Sequence, residues 1–406
     1  MLFSTAHCQG TMCNPSRISL LWGRRPSSTG FYDNHYPVEN EPAFLKSHTS
    51  LPAYFAANGY KTLTVGKIFH NGTLGQSQVD GPRPGQWRNG ADQPIHRDRQ
   101  WHRIWDFGPQ DYDESKFVDH IVASWAVKEL GKDHGAPFFL ATGFYRPHVP
   151  FFPPKRIYDA LPDIQRPPVD PNDWDDIPNA ADLLTRRNPK IPTHDWMLQQ
   201  DRWDLAVRAY LGCIRWTDEQ IGRLLEALDA GPHADDTIIV LFSDHGYHLG
   251  EKQRWSKFSL WERTTRVPLI ISVPDGLTGT SGKPVELLSI YPTLVDLCGL
   301  PPNPQLEGVS LRPLLENPNA AWPHVAISTL GQGNHAIRDE RWRYIRYAGG
   351  GEELYDHRND PNEWKNLAAG NPEPEHAAVI ASLSRHLPET NVPQRGKAGP
   401  AGVAPD

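Results

Sequence analysis

Four cysteines in 406 residues, at positions 8, 13, 213 and 298, are too few and too scattered for a disulfide framework. No apolar run is long enough to cross a bilayer, and the opening Met1-Leu-Phe-Ser-Thr-Ala-His has neither the charged stretch nor the apolar core of an export signal. Positive charge is not in excess. The formal net charge of -7 excludes a general binder of nucleic acid or other polyanions, so any anionic ligand needs a local basic pocket. Internal repeats and low-complexity tracts are also lacking, which excludes solenoid and fibrous architectures.

What is present is a mixed composition long enough for one large or two unequal domains with a substantial core. The 39 prolines and 33 glycines gather between apolar runs, which predicts long loops. Val118, Ile121, Val122 and Trp125 recur at helical spacing up to Gly131, and the buried-strand pattern Pro137 to Phe144 follows. Val207 to Leu228 carries one apolar face of a long helix closed by Gly231-Pro232, and Thr237-Ile-Ile-Val-Leu-Phe-Ser is a second continuous apolar run. Val267 to Val273 reads as a further strand and Ser289 to Leu300 as a helix. This alternation predicts an α/β sandwich with a large, mostly parallel or mixed sheet over residues 1–310. Beyond it, short strands at His335, Trp342–Tyr347 and Glu353, with a turn at Gly349-Gly350-Gly351, predict a small antiparallel subdomain over 311–390. Residues 391–406 read as a disordered Pro/Gly-rich tail. Residues 71–110, with Trp87, Arg88, Arg97, Arg99, Trp101 and Arg103, and residues 150–200 lack a period; each reads equally as a solvated loop or as a substrate-selecting one.

Cys13-Asn14-Pro15-Ser16-Arg17 is the sharpest motif. A cysteine beside Pro and Arg is, taken alone, more often a small buried hydrophobe than a nucleophile. This one continues Ile-Ser-Leu-Leu-Trp-Gly-Arg-Arg-Pro, and the whole resembles the signature of the type I sulfatases, in the iduronate-2-sulfatase-like branch of the alkaline phosphatase superfamily. Trp22 departs from it, standing where the family usually has Thr before Gly-Arg. The resemblance implies an alkaline-phosphatase-like fold, a sulfated-sugar substrate, and a formylglycine made from Cys13 by a formylglycine-generating or anaerobic sulfatase-maturating enzyme. Hydrated, that aldehyde offers one hydroxyl to attack sulfur and a second whose deprotonation expels sulfate, so water need not attack a crowded anionic centre. No nucleic acid or membrane partner is implied, and the family's exported members suggest a periplasmic or extracellular setting.

Further segments resemble the family in order. Asp244-His245, after an apolar strand and before Gly-Tyr-His-Leu-Gly-Glu, resembles the segment whose Asp gives hard oxygen to Ca2+; His245 and the residue at 13 would complete this side of the metal site. Gly66-Lys67-Ile-Phe-His70 resembles the Gly-Lys segment, with Lys67 and His70 at a strand end. Tyr145-Arg-Pro-His148 and Trp255-Ser-Lys257 resemble stretches that point His148 and Lys257 at the sulfate, and one of these two is expected to protonate the leaving alcohol. Arg17 would support the formylglycine, and Lys67 would meet charge on the sulfuryl group. The closing Arg341–Tyr347 and Glu353–Leu367 segments resemble the family's last hairpin, with aromatics that pack rather than bind.

The family opens on a strand ending in paired aspartates, which this sequence does not show. We therefore expect about 30 residues, the size of a strand–helix unit, to precede Met1 in the intact protein, including a central strand and half of the metal ligands. Two other readings stay open: a related metal-dependent phosphodiesterase, and an inactive fragment or pseudo-sulfatase that binds sulfated glycan.

Overall fold

The computed structural model describes residues 1–72, 75–85, 95, 105–185 and 191–396. The tract carrying Trp87, Arg88, Arg97, Arg99, Trp101 and Arg103 lies outside the described residues.

The expected strand–helix alternation is present, and its strands form two half-sheets. The first is parallel, with Lys61–Gly66 between Val79–Asp80 and Phe138–Gly143. The second is mixed: Ile239–Phe242 pairs antiparallel with Leu269–Ser272, which flanks Leu2–Phe3, and Thr280–Ser281 closes the edge. A short continuation pairs Val285–Glu286, Ala6–His7 and Arg266–Val267. Helices cover both faces. Val118–Leu130 and the 27-residue helix Trp203–Asp229 pack together on one side. Cys13–Trp22, Leu51–Ala57 and Ile290–Leu297 pack on the other, around a core that includes Phe3, Leu20, Leu21, Trp22, Phe55 and Leu287. Leu287–Ser289 winds as a 3-10 turn before that last helix, so the helix expected from Ser289 begins one residue later and ends at Leu297.

Two expectations need correction. Pro137 to Phe144 reads as a buried strand, but Phe138–Gly143 is only half-buried, as is most of Ile239–Phe242, whose Phe242 is 37% exposed. The reason is geometric: among the described residues both strands pair on one side only, and a cavity of about 1430 Å3 lies between them. The second correction concerns the tail. Residues 391–396 are a strap across the N-terminal region, not a disordered end: Val392 N–H donates to Ser27 O, Arg395 N–H to Gly30 O, and Tyr32 OH to Val392 O. The Arg395 guanidinium also pairs with Glu41 and stacks over Phe31. Residues 397–406 lie outside the described residues.

The C-terminal part is a four-stranded antiparallel meander, Ala326–Thr329, His335–Arg338, Trp342–Arg346 and Glu352–Asp356, with Pro374–Leu383 packed against it. Gly350 and Gly351 take positive φ in the turn of the last hairpin, as the glycine run suggests. The meander is joined to the large part by a buried charge cluster. Arg343 donates to Leu260 O at 3.0 Å, pairs with Glu262 and lies 2.5 Å from Glu363, which His357 also meets at 3.0 Å.

Candidate active site

Cys13 is the first residue of its helix, where unpaired backbone N–H groups and the helix dipole favour an anion. The preceding turn is tight: a Cβ at Gly10 would sit 2.8 Å from Pro15 Cβ and Ser16 N, so only glycine lets the chain enter the helix this closely. Asn14 locks the turn from outside: its backbone N–H donates to the Asn34 side-chain oxygen (2.9 Å), and its side-chain amide donates to Asp33 O and Tyr36 O.

Four other segments meet the Cys13 sulfur. Lys257 Nζ is 3.1 Å away, His245 Nε2 3.2 Å and Lys67 Nζ 3.6 Å, and His148 hydrogen-bonds to it. Lys67, His148 and His245 lie just past strand ends, where an open α/β sheet carries its site, and Lys257 comes in from the loop that precedes Glu262–Thr265. Asp244 is held from behind, with Arg17 Nε at 2.7 Å from its carboxylate and Ser16 OH donating to its carbonyl. Arg17 also donates to Lys67 O and Ile68 O, tying three of the segments together.

The charges follow from this packing. Burial would raise the Cys13 thiol, but Lys257, Lys67 and His245 outweigh it and bring the thiol well below its usual range. Burial likewise works against the Asp244 carboxylate, and Arg17 with His245 holds it below the usual value. His245 is raised despite burial, because Asp244 and the Cys13 sulfur favour its charged form. The result is a local cationic pocket in a protein of net charge -7, the feature an anionic substrate requires.

Of the residues singled out from sequence, Cys13, Arg17, Lys67, His148, Asp244, His245 and Lys257 come together around the cavity's inner end. His70 does not. It sits behind Arg17, against a separate small recess with Asn14, Trp22 and Phe69, because Phe69 turns inward onto Trp22 (ring centroids 5.8 Å apart) and carries the chain away from the cavity. Trp22 itself is buried in the core and faces away from Cys13's pocket.

Sequence reasoning missed two supports. Asp119, fully buried, accepts the N–H groups of Tyr145 (2.7 Å) and Arg146 (3.1 Å) and so fixes the turn that presents His148. A carboxylate on the buried face of an apolar helix was the available signal. Behind Lys257, buried Ser259 accepts or donates to His248 Nε2 (2.8 Å) and Thr264 OH (2.7 Å), and Thr264 OH donates to Lys257 O. Nothing in the local sequence points to that relay.

Cys13, Asp244 and His245 each offer one ligand atom within 4.8 Å of the others. As a site for calcium this set does not fit unaided: it holds one carboxylate, whereas Ca2+ takes six to eight oxygens, and two ammonium groups crowd the sulfur.

The Sulfatase family model matches residues 1–300, and the model for the N-sulphoglucosamine sulphohydrolase C-terminal region matches 250–392. The chain belongs to the sulfatase family. A sulfatase of Formosa agariphila is 37% identical over 96% of this chain and 79% of its own length. Human iduronate 2-sulfatase is 32% identical over 74% of this chain and 63% of its own, so this sulfatase-family chain spans under two thirds of that relative. Among solved structures, a phosphonate monoester hydrolase from Silicibacter pomeroyi superposes with TM-score 0.77 at 21% identity, covering 95% of this chain and 87% of its own. A complex with D-glucosamine-2-N,6-O-disulfate gives TM-score 0.74 at 22% identity, covering 95% and 89%. These likenesses show an alkaline-phosphatase-like fold, and the family is one of metal-binding, formylglycine-using enzymes.

Proposed function

We propose that this chain carries the reaction centre of a sulfuric ester hydrolase acting on a sulfated sugar, with Cys13 converted to formylglycine. One observation carries the reading: the side chain at 13 heads a helix and faces Lys257, Lys67, His245 and His148 at hydrogen-bonding range. The names of the relatives, iduronate 2-sulfatase and Formosa sulfatase among them, support sulfate as the transferred group and a sugar of the glycosaminoglycan type as its carrier.

Formylglycine, as its hydrate, supplies the nucleophile and the means to expel sulfate. The chain's own residues do the rest. Lys67 and Lys257 meet the charge of the sulfuryl oxygens, and the helix N-terminus adds a fixed positive end. Arg17 holds Asp244 and the Lys67 backbone in register. His148 or Lys257 delivers a proton to the leaving sugar oxygen, which is a poor leaving group as an alkoxide. Calcium is the ion we propose for the family's metal, with Asp244 as its one hard ligand here and further oxygens needed from elsewhere. A maturating enzyme, of the formylglycine-generating or anaerobic kind, is the partner this reading needs. The residues from about 311 on form the small subdomain, and we place the protein in an exported compartment, periplasmic or extracellular.

The test compares a sulfate and a phosphate ester of the same phenol, together with mass spectrometry of the Cys13 peptide. Sulfate release that tracks the fraction of aldehyde at 13 and vanishes in Cys13→Ala supports the reading. Faster hydrolysis of the phosphate ester, independent of that modification, makes the protein a phosphoryl-ester hydrolase, and release of phenol from the phosphate diester in particular makes it a phosphodiesterase. Tight binding of a sulfated oligosaccharide by the unmodified thiol, with no turnover, makes it a glycan-binding relative.

A further inference from the structure

The loop that carries Lys257 is organised round one imidazole. His248 is fully buried, and its backbone N–H donates to Ser256 O at 3.0 Å. Its Nδ1 faces Glu251 O at 3.2 Å, and its Nε2 meets the Ser259 hydroxyl at 2.8 Å. Ser259 in turn lies 2.7 Å from the Thr264 hydroxyl, which lies 2.7 Å from the backbone carbonyl of Lys257. Ser259 and Thr264 are fully buried as well, so each proton of the chain has to find its acceptor within it.

Counting those protons gives the chain a direction. A carbonyl only accepts, so Thr264 spends its one hydroxyl proton on Lys257 O. The contact between Thr264 and Ser259 then takes its proton from Ser259, and with that proton spent the contact to the ring has to be filled by N–H at Nε2. The opposite tautomer would give Glu251 O a proton across 3.2 Å but leave one of the 2.7 Å oxygen contacts with none. Burial, reinforced by the Arg254 guanidinium, holds the His248 pKa well below its usual value, so the ring is neutral and carries a single N–H.

We propose that His248, as its Nε2–H tautomer, is a positioning residue of the site: through Ser259 and Thr264 it fixes the backbone of Lys257, and with it the 3.1 Å approach of the Lys257 ammonium to the side chain at 13. Thr264 does a second thing. Its carbonyl accepts the Gly246 N–H at 2.7 Å, and a Cβ at Gly246 would clash with Arg263 O, so the turn after His245 is held against the same short helix, Glu262–Thr265. Two of the cationic groups facing position 13, His245 and Lys257, are thereby set in register with each other. This role concerns the ammonium beside position 13 and holds whichever group is transferred there.

The experiment uses the full chain with Cys13 as the thiol. In protein carrying 15N-labelled histidine, the His248 ring, assigned by its disappearance in His248→Gln, is expected to bear its proton on Nε2; a proton on Nδ1 overturns the proposal. Iodoacetamide labelling of Cys13 at neutral pH, read by peptide mass spectrometry, then follows the lysine, because an ammonium moved away from the sulfur favours the thiolate less. Thr264→Val keeps the shape of the side chain without its hydroxyl and is expected to slow labelling threefold or more, as is His248→Leu. Thr264→Ser restores the proton, and His248→Gln places an amide N–H where Nε2 stood; both are expected to label within threefold of the wild type. In a Lys257→Ala background Thr264→Val is expected to change the rate by less than threefold. A melting temperature that falls in Thr264→Val and His248→Leu while labelling changes less than threefold makes the relay a part of the core alone and overturns the proposal. Equal slowing by Thr264→Val with and without Lys257 also overturns it.

Discussion

Lys257 holds its ammonium 3.1 Å from the sulfur of Cys13, across 244 residues of sequence and closer than Lys67 at 3.6 Å. In protein that has escaped modification, Cys13 should therefore react with iodoacetamide well below the pH at which thiols ordinarily do. Lys257→Ala should move the midpoint of its rate–pH profile up by at least one unit, about 1.4 kcal/mol of lost preference for the thiolate, and Lys67→Ala by less. Cys8, whose thiol burial pushes up, is the internal control and should stay unlabelled throughout. Peptide-level mass spectrometry reads both, and identical profiles in wild type and Lys257→Ala would remove lysine as the cause.

Asp244 and Arg17 form a largely buried pair at 2.7 Å. Removing the carboxylate with Asp244→Ala leaves the guanidinium uncompensated, so denaturant unfolding should show a loss of roughly 3–5 kcal/mol. Because the carboxyl is held below its usual value, its contribution is present above the ordinary aspartate range and is lost as pH falls through the lowered value. Asp244→Asn should accordingly flatten the acid side of the stability profile.

His335 is fully buried between Thr329 and Asn391, and burial lowers its pKa from 6.5 to about 4. The unfolded chain binds the extra proton throughout that window, so stability should fall as pH drops from 6.5 toward 4, by at most about 3 kcal/mol. His335→Gln should lessen the slope of melting temperature against pH there. Parallel slopes for the two proteins would assign the acid sensitivity elsewhere.

Arg343 joins the meander to the large part through Glu262 and Glu363. Arg343→Leu strands two carboxylates in the interior and should cost roughly 3–5 kcal/mol. Arg343→Leu combined with Glu363→Gln should recover part of that loss, because Glu262 keeps the buried Arg338 as its partner at 3.6 Å. Chemical denaturation of the single and double variants checks the pair.

Asp244 and Lys67 were legible because each follows an apolar run that can be recognised locally, Ile239–Phe242 and Lys61–Gly66, whereas Cys13 and Lys257 were singled out by the family resemblance of their motifs. The glycine-turned hairpin at Gly349–Gly351 was visible for a similar local reason. His70 was misplaced because its position depends on Phe69 choosing Trp22 as a partner, a contact 47 residues distant. The strap at 391–396 was hidden by composition: proline and glycine suggest disorder, while Arg395 and Val392 find partners near residues 27–41 that no local pattern announces. Half-exposure of Phe138–Gly143 was equally unreadable, since its own residues are those of an interior strand and only the neighbourhood differs.

The side chain at position 13 is 1% exposed and set into the first turn of a helix whose entry is pinned by Gly10. If Cys13 is converted as proposed, an enzyme that has to surround this side chain would need to act before the fold closes over it, and a purified batch would then be a fixed blend of aldehyde and thiol forms that later exposure of the native protein to such an enzyme would not enrich.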